Sequence, residues 1–243
     1  MTLSWTRVGA IFHKELRDYR RNRLVALTMA VLPVAFIVLP IIQLFTIPAR
    51  AASSVLNTRI GLSLLYLLLI PTFLPSTLSA YSVVGEREQG TLEPVLTTPI
   101  SAEEFLVGKA LAVLVPTLAI AYLIFGIFLV ATVLFAHQGV VTAVFQPSHL
   151  LIQVFFTPLL AGWSIWVGTA ISARASDVRV AQQLGVLASL PPLAIVALMA
   201  TKVITPSLGI GLALGAALLA VDALGWRAVA AMFDREKLVT GAK

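Results

Sequence analysis

Five uninterrupted apolar stretches, each long enough to cross roughly 30 Å of hydrocarbon as a helix, constrain this chain more than any other feature. They run from about Leu24 to Ile47, Ile60 to Val84, Ala110 to Ala136, Leu150 to Ile171 and Leu184 to Val203. A sixth, the shortest and rich in Gly and Ala, runs from Leu208 to about Leu224 and forms a tight hairpin with the fifth. The sequence therefore predicts an all-α integral membrane protein of six transmembrane helices. Composition agrees: 59% of the 243 residues are hydrophobic and 12% charged, which leaves little for a soluble domain. The expected division is a cytoplasmic elbow over residues 1–23, a six-helix transmembrane domain over 24–225 and a cytoplasmic tail over 226–243.

Charge placement orients the spans. With the N-terminus inside, 14 Lys and Arg fall on the cytoplasmic side and only Arg50, Arg59 and Lys202 on the other. Both termini and the loop 85–109 are thus expected in the cytoplasm, in a multi-pass protein of the cell membrane. The net charge of +6 is explained by this topology, and no nucleic-acid partner is expected. The chain has no cysteine, so disulfides and thiolate metal sites are excluded. The first 23 residues carry charges throughout and lead into a full span, so no cleaved signal peptide is expected.

Prolines recur within the spans at Pro33, Pro40, Pro71, Pro75, Pro116, Pro158 and the pair Pro191-Pro192, and each removes an intrahelical hydrogen bond. Kinked or broken helices are expected. In the last span Gly211 and Gly215 make a G-x-x-x-G pair that would let another helix approach, within the chain or in a dimer. Asp222 is expected near the cytoplasmic end of that span. His137 and His149 flank an external loop.

Two segments carry candidate function. From Trp5 to Arg23 the residues Trp5, Val8, Phe12, Leu16 and Tyr19 fall within about 80° of a helical wheel, while Arg7, Lys14, Arg17 and Arg21 cluster opposite. This predicts an amphipathic helix in the headgroup layer or packed on a partner. The loop 85–109 holds five of the eleven acidic residues. Thr91 can cap a short helix with Pro94 in its first turn, and Pro99 blocks its continuation. Ser101 and Glu104 make a capping box that starts the helix leading into the third span. A short lateral helix carrying Leu92, Val95 and Leu96, held between two spans, could transmit force from a cytoplasmic partner.

The run Glu86-Arg87-Glu88-Gln89-Gly90-Thr91-Leu92-Glu93, followed by Thr98-Pro99-Ile100-Ser101 and Gly108-Lys109, resembles the signature loop of type-2 ATP-binding-cassette (ABC) exporter permeases. The amphipathic elbow, the six spans and a C-terminal Phe233-Asp234-Arg235-Glu236-Lys237 extend the resemblance over nearly the whole chain. It implies a homodimer or pseudo-dimer of permeases bound to two separate ATPase subunits, with the loop as the coupling helix. The coupling role carries over to Glu86, Glu88, Gly90, Thr91, Leu92 and Glu93, with Arg87 inside the motif and Leu96 on the same short helix. Relatives often carry re-entrant helices between the last two spans. Only about Thr201 to Ser207 is available here, so no external gate of that type is expected.

Gly85 and Gly90 followed by Thr91 mimic a phosphate-binding loop, but no Lys follows the second Gly and no strand precedes the first. ATP hydrolysis must then come from another chain, which would hold the ATP and Mg. This chain is expected to be non-catalytic, with no cofactor and no metal of its own. The competing reading is an ion-gradient-driven secondary transporter, or a membrane subunit of another complex. Ion-coupled carriers place ionisable groups near the bilayer midplane. An intramembrane enzyme lacks its H-E-x-x-H or Ser/His constellation. The substrate class, among lipids, drugs, peptides and ions, is left open by the sequence.

Overall fold

The computed structural model describes residues 3–48, 51–88, 90, 100–201, 203–204 and 208–232, and the described residues contain helices and no strand. A first helix, α1 (Trp5–Arg21), turns at Asn22 into α2 (Arg23–Thr46). The corner is sharp because the Asn22 side-chain oxygen accepts hydrogen bonds from the amides of Leu24 (3.1 Å) and Val25 (3.3 Å), capping the new helix. Next come α3 (Ser53–Ala80) and its short continuation α4 (Val84–Glu88), α5 (Ala102–Phe135), α6 (Gln138–Val144) and α7 (Pro147–Arg174). The chain then forms α8 (Val178–Ala188), α9 (Leu190–Ala200) and α10 (Leu208–Met232). Six membrane-crossing helical units result, with α3 and α4 forming the second and α8 and α9 the fifth.

The helix α3 occupies the centre. It packs against α2, α5, α7, α8 and α9, and it buries Ile60, Leu64, Leu67, Leu68, Ile70, Leu74 and Leu78. A helix buried on nearly all sides needs no polar face, which is why its sequence shows no amphipathic stripe. The peripheral helices α2 and α10 leave large apolar residues such as Leu24, Phe45, Leu212 and Leu224 exposed, as lipid-facing surfaces require.

Most prolines do not break their helices. Pro33, Pro40, Pro71, Pro75, Pro116 and Pro158 all lie inside continuous helices. Only Pro191-Pro192 coincides with an interruption, at Ser189 between α8 and α9. There the Ser189 hydroxyl lies 2.8 Å from the Gly185 carbonyl and 3.3 Å from Ser76 Oγ on α3. The amide bond from Ser189 to the Gly185 carbonyl persists at 3.0 Å, and the Ala188 carbonyl, which Pro192 cannot serve, accepts instead from Trp163 Nε1 of α7 at 3.0 Å.

Two expectations change. The last helix continues to Met232 rather than stopping near Leu224, because Trp226, Arg227 and the following Ala and Val residues extend it. Asp222 therefore lies mid-helix, not near an end. The connection between the third and fourth spans is itself helical: α6 begins at the N-cap His137 and packs Val140, Ala143 and Val144 into the core.

Candidate functional site at the root of the charged loop

The charged loop grows from two roots, α4 on one side and the start of α5 on the other. The turn between α3 and α4 is closed by one residue of α7. Ser172 Oγ donates to the Ala80 carbonyl at 2.7 Å and accepts from the amides of Val83 and Val84, both at 3.1 Å. Three backbone groups freed by the interruption are thereby satisfied. At the far end of α4, Gly90 has φ of 65°, and its amide donates to the Arg87 carbonyl at 3.2 Å. A left-handed glycine there ends the helix without the strain a side chain would bring.

The three residues Glu86-Arg87-Glu88 each reach a different element. Glu86 Oε1 accepts from Lys14 Nζ of α1 at 2.8 Å and lies 3.0 Å from Lys109 Nζ of α5. Arg87 donates through Nη2 to the Ala173 carbonyl at 2.9 Å and through Nη1 to the Ala175 carbonyl at 3.4 Å, at the C-terminal end of α7. A guanidinium at that end meets both the last carbonyls and the negative pole of the helix dipole. Glu88 Oε1 accepts from the Val178 amide at 3.2 Å, at the positive pole of α8. Three consecutive residues of one loop root thus tie α1, α5, α7 and α8 together.

On the other root the capping box forms as the sequence predicts. Ser101 Oγ accepts from the Glu104 amide at 3.2 Å, and the Ser101 amide donates to Glu104 Oε2 at 3.0 Å. Glu104 does more than cap. Its Oε1 accepts from the Ser4 amide at 2.9 Å, and its Oε2 lies 3.1 Å from Arg7 Nη1, so it also anchors the start of α1. One turn further, Gly108 sits under α1 so closely that a Cβ would lie 2.7 Å from Ile11 Cβ. That approach brings Lys109 to 3.0 Å from Glu15 Oε1, with its ammonium 5.0 Å from the Phe105 ring centre.

Lys14, Glu15, Glu86 and Lys109 form a balanced four-charge cluster, extended by Asp18 at 3.7 Å from Lys14. The side chains of Glu15, Glu86 and Lys109 are only 10%, 7% and 5% exposed. Burial pushes the Glu15 carboxyl up, but Lys109 and Lys14 outweigh it and hold it below the usual carboxylate range. Burial likewise lowers Lys14, and Glu15 and Glu86 more than reverse this, so its ammonium is held above the usual lysine range. Burial, with Glu15, Asp18 and Glu86 beside it, pushes the Tyr19 phenol up. Such a cluster adds little net stability over an apolar one, but losing one member strands a buried charge, which fixes the register of the segments it joins.

These placements revise the sequence reading of α1. The face turned to the bundle is Val8, Ile11 and Glu15; Phe12, Leu16 and Tyr19 are half-buried at its flank, and Trp5 is exposed. Arg7 and Lys14 pair with Glu104 and Glu86, while Arg17 and Arg21 remain exposed. Glu86 is correspondingly an internal residue and not a surface contact. Thr91, Leu92, Glu93 and Leu96 lie outside the described residues. The local sequence does not single out Glu15, whose partner Lys109 lies 94 residues away on α5.

The ABC-2 family transporter pattern matches residues 9–209, from α1 to the start of α10. The chain belongs to the ABC-2 transporter family. This ABC-2 protein is accordingly the membrane-spanning permease of an ABC transporter, the kind of subunit that partners an ABC ATPase. The match includes every residue of the four-charge cluster and both roots of the loop. No curated protein matches the chain.

The G-x-x-x-G pair divides in the ABC-2 fold. A Cβ at Gly215 would collide with the Phe155 ring, whereas Gly211 faces open space. The second glycine against α7 is Gly225, where a Cβ would collide with Trp166. Between the two, Trp166 Nε1 donates to Asp222 Oδ1 at 3.0 Å, and Gly162 makes room for the carboxylate.

Proposed function

We propose that this permease is the export subunit of an ATP-driven transporter, and that the tip of the loop 85–109 is where a separate ABC ATPase docks. The observation that carries the reading is the division of labour at Glu86-Arg87-Glu88. Their bonds to α1, α5, α7 and α8 mean that a displacement of the loop moves four segments together. Gly90, Thr91, Leu92, Glu93 and Leu96 supply the contact with the ATPase, while Glu86, Arg87 and Glu88 act from inside by holding the loop. Two permease copies with two ATPases, which bind ATP and Mg, complete the transporter. Both termini and the loop face the cytoplasm of the cell membrane, on the 14 to 3 distribution of basic residues.

The test is co-expression with the ATPase. Leu92→Asp or Glu93→Lys is expected to release the ATPase while leaving the permease folded. Arg87→Ala is expected to keep the ATPase bound but uncouple its hydrolysis from transport. Full ATPase binding and coupled transport in both loop-tip variants would overturn the docking assignment.

One observation speaks for the ion-coupled alternative. Asp222 is an ionisable group placed mid-helix, where carriers keep coupling sites. Its hydrogen bond to Trp166 gives it a structural role without ion coupling. Export that stops with an inactive ATPase and continues under an ionophore separates the two readings.

A further inference from the structure

At the end of the bundle opposite the loop, a cavity of about 280 Å³ opens between α3, the first turns of α7 and the last turn of α9. Its lining on α3 is Asn57, Gly61, Leu64, Leu65 and Leu68, residues on one helical face that span roughly 16 Å of helix at about 1.5 Å per residue. A volume this small drawn out over that length is a narrow slot running along the helices, with room for one alkyl chain but not two. It lies at the lower limit of the roughly 300–1,000 Å³ usual for small-molecule pockets.

The slot is chemically graded. Leu64, Leu68 and Phe156 form its floor at 4%, 1% and 3% exposure. Asn57, Gln146, Ser148 and His149 form its mouth. Among the described residues the side chains of Asn57, Gln146 and Ser148 make no hydrogen bond, so their donors and acceptors are available. His149 Nδ1 lies 2.7 Å from the Ala143 carbonyl, which can only accept, so the neutral ring keeps Nε2 as an acceptor. Among the described residues no Lys, Arg, Asp or Glu lines the slot. Gly61 fixes its width on one side, since a Cβ there would lie 2.8 Å from the Ala200 carbonyl oxygen.

We infer that this slot is a binding site for a single-chain amphiphile with an uncharged, hydrogen-bonding head, of the monoacylglycerol class. The alkyl chain lies between α3, α7 and α9, and the hydroxylated head bonds to Asn57, Ser148 and His149. Among the described residues a charged head finds no counter-ion at the mouth, and a second chain finds no room beside the first.

Binding requires no ATPase, so it is read on the full-length permease in nanodiscs, and its failure would leave the docking reading untouched. The probe is a C16 monoacylglycerol carrying a diazirine in its chain and an alkyne handle. Saturable photolabelling is expected on residues 57–68 and 146–156, displaced by unlabelled monoacylglycerol but not by a two-chain phospholipid. Leu65→Trp, which fills the slot, is expected to cut labelling about tenfold, with Ile152→Phe as a second filling variant should the first express poorly. Asn57→Ala is expected to weaken binding about fivefold through the lost hydrogen bond. Leu134→Trp, on the exposed face of α5, is expected to change nothing. Labelling that rises linearly with probe and falls equally on residues 127–135 would reduce the contact to ordinary membrane lipid and overturn the site. Equal competition by a phospholipid or a charged-head analogue would overturn the assigned ligand class.

Discussion

The two helices at the ends of the chain, α1 and α10, dock on the same bundle by opposite means. The first is held by charge: Arg7 to Glu104, Lys14 to Glu86 and Lys109 to Glu15, with one close approach at Gly108. The second is held by shape, with Gly215 and Gly225 receiving Phe155 and Trp166 and one polar contact at Asp222. The charged partners of α1 sit on the two roots of the loop, whereas the close approaches of α10 are made on α7, and its Val229 joins an apolar cluster with Ile11, Val83, Phe105 and Leu106. Movement of the loop therefore reaches α1 through buried charge and reaches α10 through the apolar contact of Val229.

The strongest way to break this contrast is Lys109→Met. It strands Glu15 and Glu86 with only the half-exposed Lys14, and removing one partner of a buried pair costs about 3–5 kcal/mol. The cysteine-free chain offers a clean reporter. A single Phe12→Cys is expected to react much faster with a water-soluble maleimide once α1 lifts. Lys109→Met combined with Glu86→Gln is expected to recover most of the loss, because Lys14 and Glu15 still balance. No recovery would mean that α1 is held by packing alone.

On the α10 side, Gly225→Leu is expected to cost about 1–3 kcal/mol by overpacking against Trp166, read as a lower melting temperature in detergent. Gly211→Leu, facing open space, is expected to stay within about 0.5 kcal/mol of the parent. Neither should change the reactivity of the Phe12→Cys reporter. A Gly225→Leu variant that frees α1 would show that the two ends are coupled after all.

The six spans were legible because span length is written directly in the hydropathy of the chain, and the Ser101–Glu104 box because capping is local. The pairing of α1 was not legible. Arg7 and Lys14 find partners 97 and 72 residues away, and a wheel of one helix shows which residues share a face, not which face meets protein. The wheel therefore favoured Trp5 and Leu16 over Ile11 and Glu15. Glu86 reads as one acid of the charged coupling run, and only the geometry of α4 shows it turned inward. At Gly211-Gly215 the spacing names a pair, of which Gly215 packs on Phe155 within the chain and Gly211 does not. Gly225 had no pattern to announce it.

A smaller effect is expected at Asp222. Asp222→Leu leaves the Trp166 indole without an acceptor and is expected to cost about 1–3 kcal/mol, whereas Asp222→Asn keeps a carbonyl in place and should cost under about 1 kcal/mol. If the carboxylate were a coupling group, Asn would abolish transport as fully as Leu. Transport by Asp222→Asn near the parent rate is the outcome expected of a structural contact.

The smallest expected effect is that of pH on the docking of α1, where a charged interface would ordinarily be thought sensitive. Glu15 titrates below its ordinary 4.5 in the folded chain, so its contribution is fully present above that value and is lost only as pH falls through the lowered one. Lys14 titrates above its ordinary 10.5, so its contribution is fully present below that value and is lost only as pH rises through the raised one. Between those limits neither group changes charge on docking, and the two members of α1 hold their partners throughout. A fluorophore on Phe12→Cys is therefore expected to report the same docked α1 from pH 5 to pH 9, with release only in stronger acid. Release near pH 6 to 7 would place a neutral or shared-proton form in the cluster and would make α1 the pH-sensitive end of the molecule.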